Sequence, residues 1–219
     1  MWWDVLKMPT WNVDLTDLPK DKRVRLGTHP DVELANNVEQ RDQSMKPSGV
    51  WYSFAGDEYN WSQWLKGNQP DWDFNYDYIY TFDITGNVLQ LRTKEDYVNF
   101  HEKYLVMYDR DSDKSRFPTY HRPYINWIAV ANDYDGIEFY DHWKARTHHL
   151  DEPYYLSSLD VDSGCIWNKS AITNAKVIAH RKLKRGHKRY LQNVVDNKNW
   201  YTKEPVEEAH KFHGEWERV

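Results

Sequence analysis

Tyr76-Asp77-Tyr78-Ile79-Tyr80-Thr81-Phe82-Asp83-Ile84 places Tyr76, Tyr78, Tyr80, Phe82 and Ile84 on one side. That period of two marks a strand lying on a core, and this is the clearest strand in the chain. Thr85-Gly86-Asn87 then turns into a second apolar run, Val88-Leu89-Gln90-Leu91-Arg92. Upstream, Val24-Arg25-Leu26-Gly27-Thr28 reads as a short strand stopped by Pro30, and Gly49-Val50-Trp51-Tyr52-Ser53-Phe54 as another, entered through the turn residues Lys46-Pro47-Ser48. Downstream, Thr93 is a helix N-cap with Asp96 three residues on, and Tyr97, Phe100, Tyr104 and Leu105 keep a helical period. Trp61, Trp64 and Leu65 predict a short helix, and Tyr124 to Asn132 predicts another. Asp135 to Phe139, Gly164 to Trp167 and Ala175 to Leu183 read as late strands, and the polar tail from Glu204 as a helix. The fold class is therefore α+β: an irregular lead-in over 1–23, then a single domain over 24–219.

Composition narrows the function classes. The 219 residues include 12 Trp, 16 Tyr and 7 Phe, and 29% are charged. Mean hydropathy is −0.95. So many large rings argue against disorder, and no apolar stretch approaches the roughly 20 residues of a membrane helix. The start, Met1-Trp2-Trp3-Asp4, lacks the charged and apolar regions of a signal peptide. A single cysteine, Cys165, excludes an intrachain disulfide framework and a Cys-rich zinc site. A reducing, cytoplasmic setting is the expectation. The net charge of −5 gives no general pull toward nucleic acid.

Several segments carry candidate chemistry. Trp51 and Ser53 share one strand face and Tyr52 the other; with Trp61 and Trp64 they offer aromatic walls beside hydroxyls, suited to a planar ligand. Glu138, in Asp135-Gly136-Ile137-Glu138, is a strand carboxylate able to bind a ribose hydroxyl or stabilise a cationic sugar transition state. Thr28-His29 ends the first strand, where a neutral imidazole offers one donor and one acceptor to a ligand hydroxyl. Arg181, Lys182, Lys184, Arg185, Lys188 and Arg189 form a basic run in an acidic chain, the footprint of a phosphate-rich partner such as a nucleic acid. His142, His148 and His149, with Asp141 and Asp151, include metal-ligand types, yet their spacing fits no helix-face pattern and no metal is expected. Walker A, GxGxxG, GxSxG and kinase signatures are all missing.

Taken in chain order, these pieces resemble the single-domain ADP-ribosyltransferase fold. Thr28-His29 resembles the element that holds the NAD ribose. Gly49 to Ser53 with the Trp61/Trp64 helix resembles the nicotinamide-flanking element, and Tyr134 to Glu138 the strand of the catalytic glutamate. Lys46-Pro47-Ser48-Gly49-Val50-Trp51-Tyr52-Ser53 is also similar to a KPxG(L/V)WxS motif of phage and bacterial proteins. The family's position two before the glutamate is Glu or Gln, whereas here it is Gly136, which favours a nucleic-acid acceptor over an Arg or Asn side chain. The resemblance implies a split β-sheet core with short flanking helices and NAD as substrate. The implied catalytic residues are Glu138, Tyr52 and Ser53; Thr28, His29, Trp51, Trp61 and Trp64 hold NAD. The acceptor is a nucleic acid or protein, in a toxin, defence or phage effector whose partners include an antitoxin or host factor. The alternative is a non-catalytic module that binds nucleic acid or inhibits a protein, its rings serving as stacking platforms.

Overall fold

The long tyrosine-rich strand is present as β3 (Tyr78–Ile84), and both of its faces are covered: Ile79, Tyr80, Thr81 and Phe82 are all buried. The computed structural model describes residues 15, 17–27, 37–41, 44–56, 61, 76–106, 123–142, 155–183 and 213–219. Around β3 the chain contributes β1 (Arg23–Gly27), β2 (Val50–Phe54), β4 (Val88–Leu91), β5 (Leu105–Val106) and β6 (Tyr124–Ile125), then β7 (Gly136–Phe139), β8 (Ser163–Ile166), β9 (Ile172–Leu183) and β10 (His213–Arg218). Two helices, α1 (Lys94–Tyr104) and α2 (Trp127–Asp133), stand between β4 and β7. The result is a single α+β domain built on a mixed sheet of order β10-β9-β3-β1-β2-β8-β7-β4, with β5 and β6 forming a separate pair.

Only β4 and β7 run parallel, because the two helices lie in the crossover between them; every other neighbouring pair in this sheet is antiparallel. The turn at Thr85–Asn87 is accordingly no hairpin. It carries the chain from β3 to β4 at the far side of the sheet, five strand positions away. In a flat sheet those positions would lie about 24 Å apart. The chain from Ile84 to Val88 reaches at most about 14 Å. The sheet must therefore curl so that the ends of β3 and β4 approach one another. The packing agrees: Tyr52, Phe54, Phe82, Ile166 and Ile172 form one buried cluster with Ile84 and Val88, joining β2, β3, β4, β8 and β9 on the concave side.

The convex side is filled by two other clusters. Tyr97, Phe100 and Tyr104 of α1 and Trp127 and Val130 of α2 pack on Leu91, Ile137, Phe139 and Cys165. Leu15, Val24, Ala55, Ile79 and Ala179 pack together over the β1–β3–β9 half. The α1 start is held by a capping box in which Thr93 and Asp96 each accept the other's backbone N–H. Those bonds to Thr93 and Arg92 hold Asp96 below its ordinary carboxylate range. A depressed carboxylate stabilises the fold above its unfolded pKa, and that contribution is lost as pH falls through the folded value. Thr93→Ala should cost about 1 kcal/mol in chemical denaturation at neutral pH, with less of a difference from the parent chain below the carboxylate range.

Two sequence expectations change here. Tyr124 and Ile125 do not open a helix; they pair with β5, and the helix begins only after Asn126, whose side chain accepts from the Ala129 N–H. The tail from Glu204 is expected to be helical; residues 204–212 lie outside the described residues, and His213–Arg218 is instead the edge strand β10, paired antiparallel with β9 across a bulge. A polar edge strand needs only one apolar face or none, so its composition resembles that of a solvated helix.

Candidate functional site

Glu138 sits mid-strand in β7, and none of it is exposed: its relative accessibility is 0%. Four donors converge on its carboxylate. Oε1 accepts from Arg23 Nε at 2.7 Å and from the Tyr52 hydroxyl at 2.9 Å. Oε2 accepts from Gln90 Nε2 at 2.8 Å and from the Tyr140 hydroxyl at 2.9 Å. A buried carboxylate is tolerable only when its lone pairs are filled and its charge is met, and Arg23 meets it.

The sheet register explains why these side chains meet. Gln90, Glu138, Gly164 and Tyr52 are successive Cα partners across β4, β7, β8 and β2, so they share a row on the concave face. The two-residue period puts Tyr140 beside Glu138 on that face. Between Glu138 and Tyr52 the row holds Gly164, and the Tyr52 ring fills its vacancy: a Cβ there would lie 2.3 Å from the Tyr52 Cζ and hydroxyl. A glycine on β8 is thus what allows a β2 tyrosine to reach a β7 carboxylate. Gly164→Ala should push Tyr52 off Glu138 and lower stability by about 1–3 kcal/mol, the range for inserting a methyl into a packed core. A loss well below 1 kcal/mol in urea unfolding would mean that the ring moves freely.

The electrostatics follow from this burial. Burial pulls the Arg23 guanidinium down, but its bond and attraction to Glu138 more than reverse this and leave it above its ordinary value. Burial first, and the Glu138 charge second, raise both Tyr52 and Tyr140 far above an ordinary phenol. Both hydroxyls therefore stay protonated and remain donors at neutral pH. At the rim, the Arg92 guanidinium lies 3.9 Å from the Tyr140 ring centroid and its Nε donates to Gln90 Oε1 at 3.1 Å. Tyr140 is half-buried and stacks on Phe54 at 4.8 Å, while Gln90 and Arg92 are exposed. Lys22, next to Arg23, pairs with Asp83 at 2.6 Å. Arg23, bonded to Glu138, and Arg92, at the exposed edge of Gln90 and Tyr140, are thus the cations beside this carboxylate.

The structure divides the residues expected from sequence. Tyr52 and Glu138 come together on the concave face. Trp51 and Ser53 point to the convex face, where Trp51 stacks with Phe139 at 6.4 Å and Ser53 Oγ accepts the Trp61 N–H at 3.2 Å. Trp61, which has helical backbone, packs on the Val24–Ile79 cluster of that same side. A ring bound against Trp51 and Trp61 would be separated from Glu138 by the sheet itself. Thr28, His29 and Trp64 lie outside the described residues. In the basic run, Arg181 is buried at 3% exposure within β9, away from any surface a polyanion would track. The Lys182 side chain and Lys184, Arg185, Lys188 and Arg189 lie outside the described residues. Of the histidine-rich segment, His142 is buried with Nδ1 2.7 Å from Asp162, while His148, His149 and Asp151 fall outside the described residues. Among the described residues no group of three or more His, Cys, Asp or Glu is placed to hold a metal ion.

Sequence reasoning missed Arg23, Gln90 and Tyr140. Tyr140 was legible, since it stands two residues after Glu138. Gln90 was half-legible as a polar residue inside an apolar strand. Arg23 was not, because its contact spans 115 positions of sequence. No family model matches this chain, and no curated protein and no solved structure matches it either.

Proposed function

We propose that the chain is an ADP-ribosyltransferase-like enzyme, with NAD as substrate and Glu138 as the carboxylate of its reacting centre. The observation that supports this reading is the convergence of Arg23 from β1, Tyr52 from β2 and Glu138 from β7 on one point. The proposed fold assignment is correspondingly a split-sheet core of the ADP-ribosyltransferase type, read from the curled sheet and from β1 and β2 parting company after two paired positions.

Cleavage of the bond between nicotinamide and ribose sends its electron pair out with nicotinamide and leaves oxocarbenium-like charge on the ribose, which the acceptor then attacks. A carboxylate already desolvated and oriented stabilises that charge more in the transition state than in the ground state. Arg23 and Tyr52 hold Oε1 in place throughout. The ribose hydroxyls take over Oε2 by replacing, one for one, the bonds from Gln90 and Tyr140, the exposed and the half-buried partner. Tyr140, rather than Trp51 or Trp61, is the half-buried ring on the side of Glu138, and the adjacent Arg23 and Arg92 favour a substrate bearing phosphates.

One observation favours a second reading. Glu138 has no exposure, so the same network can serve as a polar staple of a non-catalytic binding module. Nicotinamide release from NAD separates the two, assayed without acceptor and with RNA, DNA or cell lysate. The enzyme reading expects release in at least one tube and its loss in Glu138→Gln. No release in any tube, with no thermal shift from NAD, leaves the module reading.

A further inference from the structure

Away from Glu138, we propose that the cavity between α2 and the 37–40 stretch is a second site, which takes an uncharged sugar ring through its vicinal hydroxyls. The cavity holds about 370 Å³, within the roughly 300–1,000 Å³ of small-ligand pockets. Ile128, Ala131 and Asn132 line it from α2, and their i, i+3, i+4 spacing puts them on one helix face. Asn37, Val38 and Glu39 line it from the other stretch. Asp135, a further lining residue, stands just before β7, so the cavity lies at the opposite end of that strand from Tyr140.

The inner polar groups of the cavity are spent on the protein itself, so its walls are fixed before a ligand arrives. Asp135 accepts from the Asn87 N–H at 2.8 Å and from Asn168 Nδ2 at 2.6 Å. Gln40 is buried; its Nε2 donates to the Ser48 carbonyl at 2.8 Å and its Oε1 accepts the Ser48 N–H at 2.9 Å. Trp167 Nε1 donates to the Tyr134 carbonyl at 2.7 Å, and the Trp167 carbonyl accepts the Val38 N–H at 2.8 Å. The exposed lining residues differ. Asn37 Oδ1 accepts the Lys169 N–H at 3.1 Å, which leaves the Asn37 NH2 without a partner among the described residues. The Glu39 carboxylate forms no ion pair among those residues.

These unspent groups select the ligand. Asn37 offers only donors and Glu39 only acceptors, so a ligand group that serves both must accept and donate. A hydroxyl does so, and two adjacent hydroxyls on a ring can take one partner each. A phosphate or carboxylate would meet Glu39 and Asp135 with no Lys, Arg or His in the lining among the described residues. An ammonium has no acceptor for the Asn37 NH2. Val38, Ala131 and Ile128, the last 45% exposed, add apolar surface for the C–H face of a sugar.

The test is saturation-transfer NMR on the full chain with D-glucose, D-galactose, D-mannose and N-acetyl-D-glucosamine, each at millimolar concentration. At least one should receive saturable transfer. Glu39→Gln, at an exposed position, should weaken that sugar by about tenfold. Ala131→Phe should abolish its binding by filling the cavity, and Glu39→Gln carries the test if that variant does not fold. Equal binding of the methyl glycoside supports the end of a glycan as ligand, and its exclusion supports a free sugar. No transfer to any of the four, or equal transfer in the variants, overturns the site. Transfer to putrescine in place of the sugars, lost in Glu39→Gln, overturns the uncharged assignment. The probes contain no nicotinamide or phosphate and the variants leave the Glu138 network intact, so failure here is separate from failure of the NAD reading.

Discussion

Glu138→Gln should end nicotinamide release and lower stability by about 3 kcal/mol, and the two losses should come apart in a double variant. The amide keeps the shape of the carboxylate but not its charge. Its NH2 must face donors, because Arg23, Tyr52, Gln90 and Tyr140 all point hydrogens at the same two atoms. Arg23, with 21% of its side chain exposed, then loses the carboxylate with which it forms an ion pair. Removing one partner of a buried pair costs about 3–5 kcal/mol, and the residual exposure of Arg23 puts this case at the low end. Adding Arg23→Met removes the stranded cation, so Glu138→Gln/Arg23→Met should recover a large part of the stability in urea unfolding. Activity should not return. Release restored along with stability would show that Glu138 acts through the fold and not at the reacting ribose.

The second large effect lies on the other face. Trp127→Ala should destabilise the chain by about 4 kcal/mol, within the range for emptying a buried aromatic site. Trp127 has no exposure, contacts Phe100 and Tyr155 at ring distances of 6.2 and 5.8 Å, and donates from Nε1 to the Ser44 carbonyl at 2.9 Å. It therefore joins α2 to α1 and ties both to the loop that precedes β2. Trp127→Phe retains a ring but leaves the Ser44 carbonyl unpaired, at about 1–3 kcal/mol. Guanidinium unfolding of the two variants measures both, and a loss under 2 kcal/mol for Trp127→Ala would mean that the α1–α2 layer collapses readily into the space.

These expectations draw on features of unequal visibility in the sequence. Strands β1, β2, β3, β4 and β7 were legible because each carries its own short-range signal, a short run of strand-forming residues bounded by Gly, Pro or Asn, with a period of two in β3. The capping box of α1 was legible because its two partners stand three residues apart. The opposite faces of Trp51 and Tyr52 were legible for the same reason. The start of α2 misled, since Tyr124 and Ile125 are apolar in either state and only the partner strand β5 decides. The tail misled because a polar edge strand has little periodicity of its own.

The sequence by itself determined the α+β class, the main strands and the candidacy of Glu138, because those depend on neighbours within a few positions. Tertiary structure alone decided that the sheet curls, that β4 lies beside β7 and not beside β3, and that Glu138 is enclosed by four donors. It also decided that Trp51, Ser53 and Trp61 lie across the sheet from that carboxylate. Strand order and curl are set by which apolar faces bury one another, and a donor such as Arg23 finds its acceptor only after that choice has been made. Such contacts leave no local period to read.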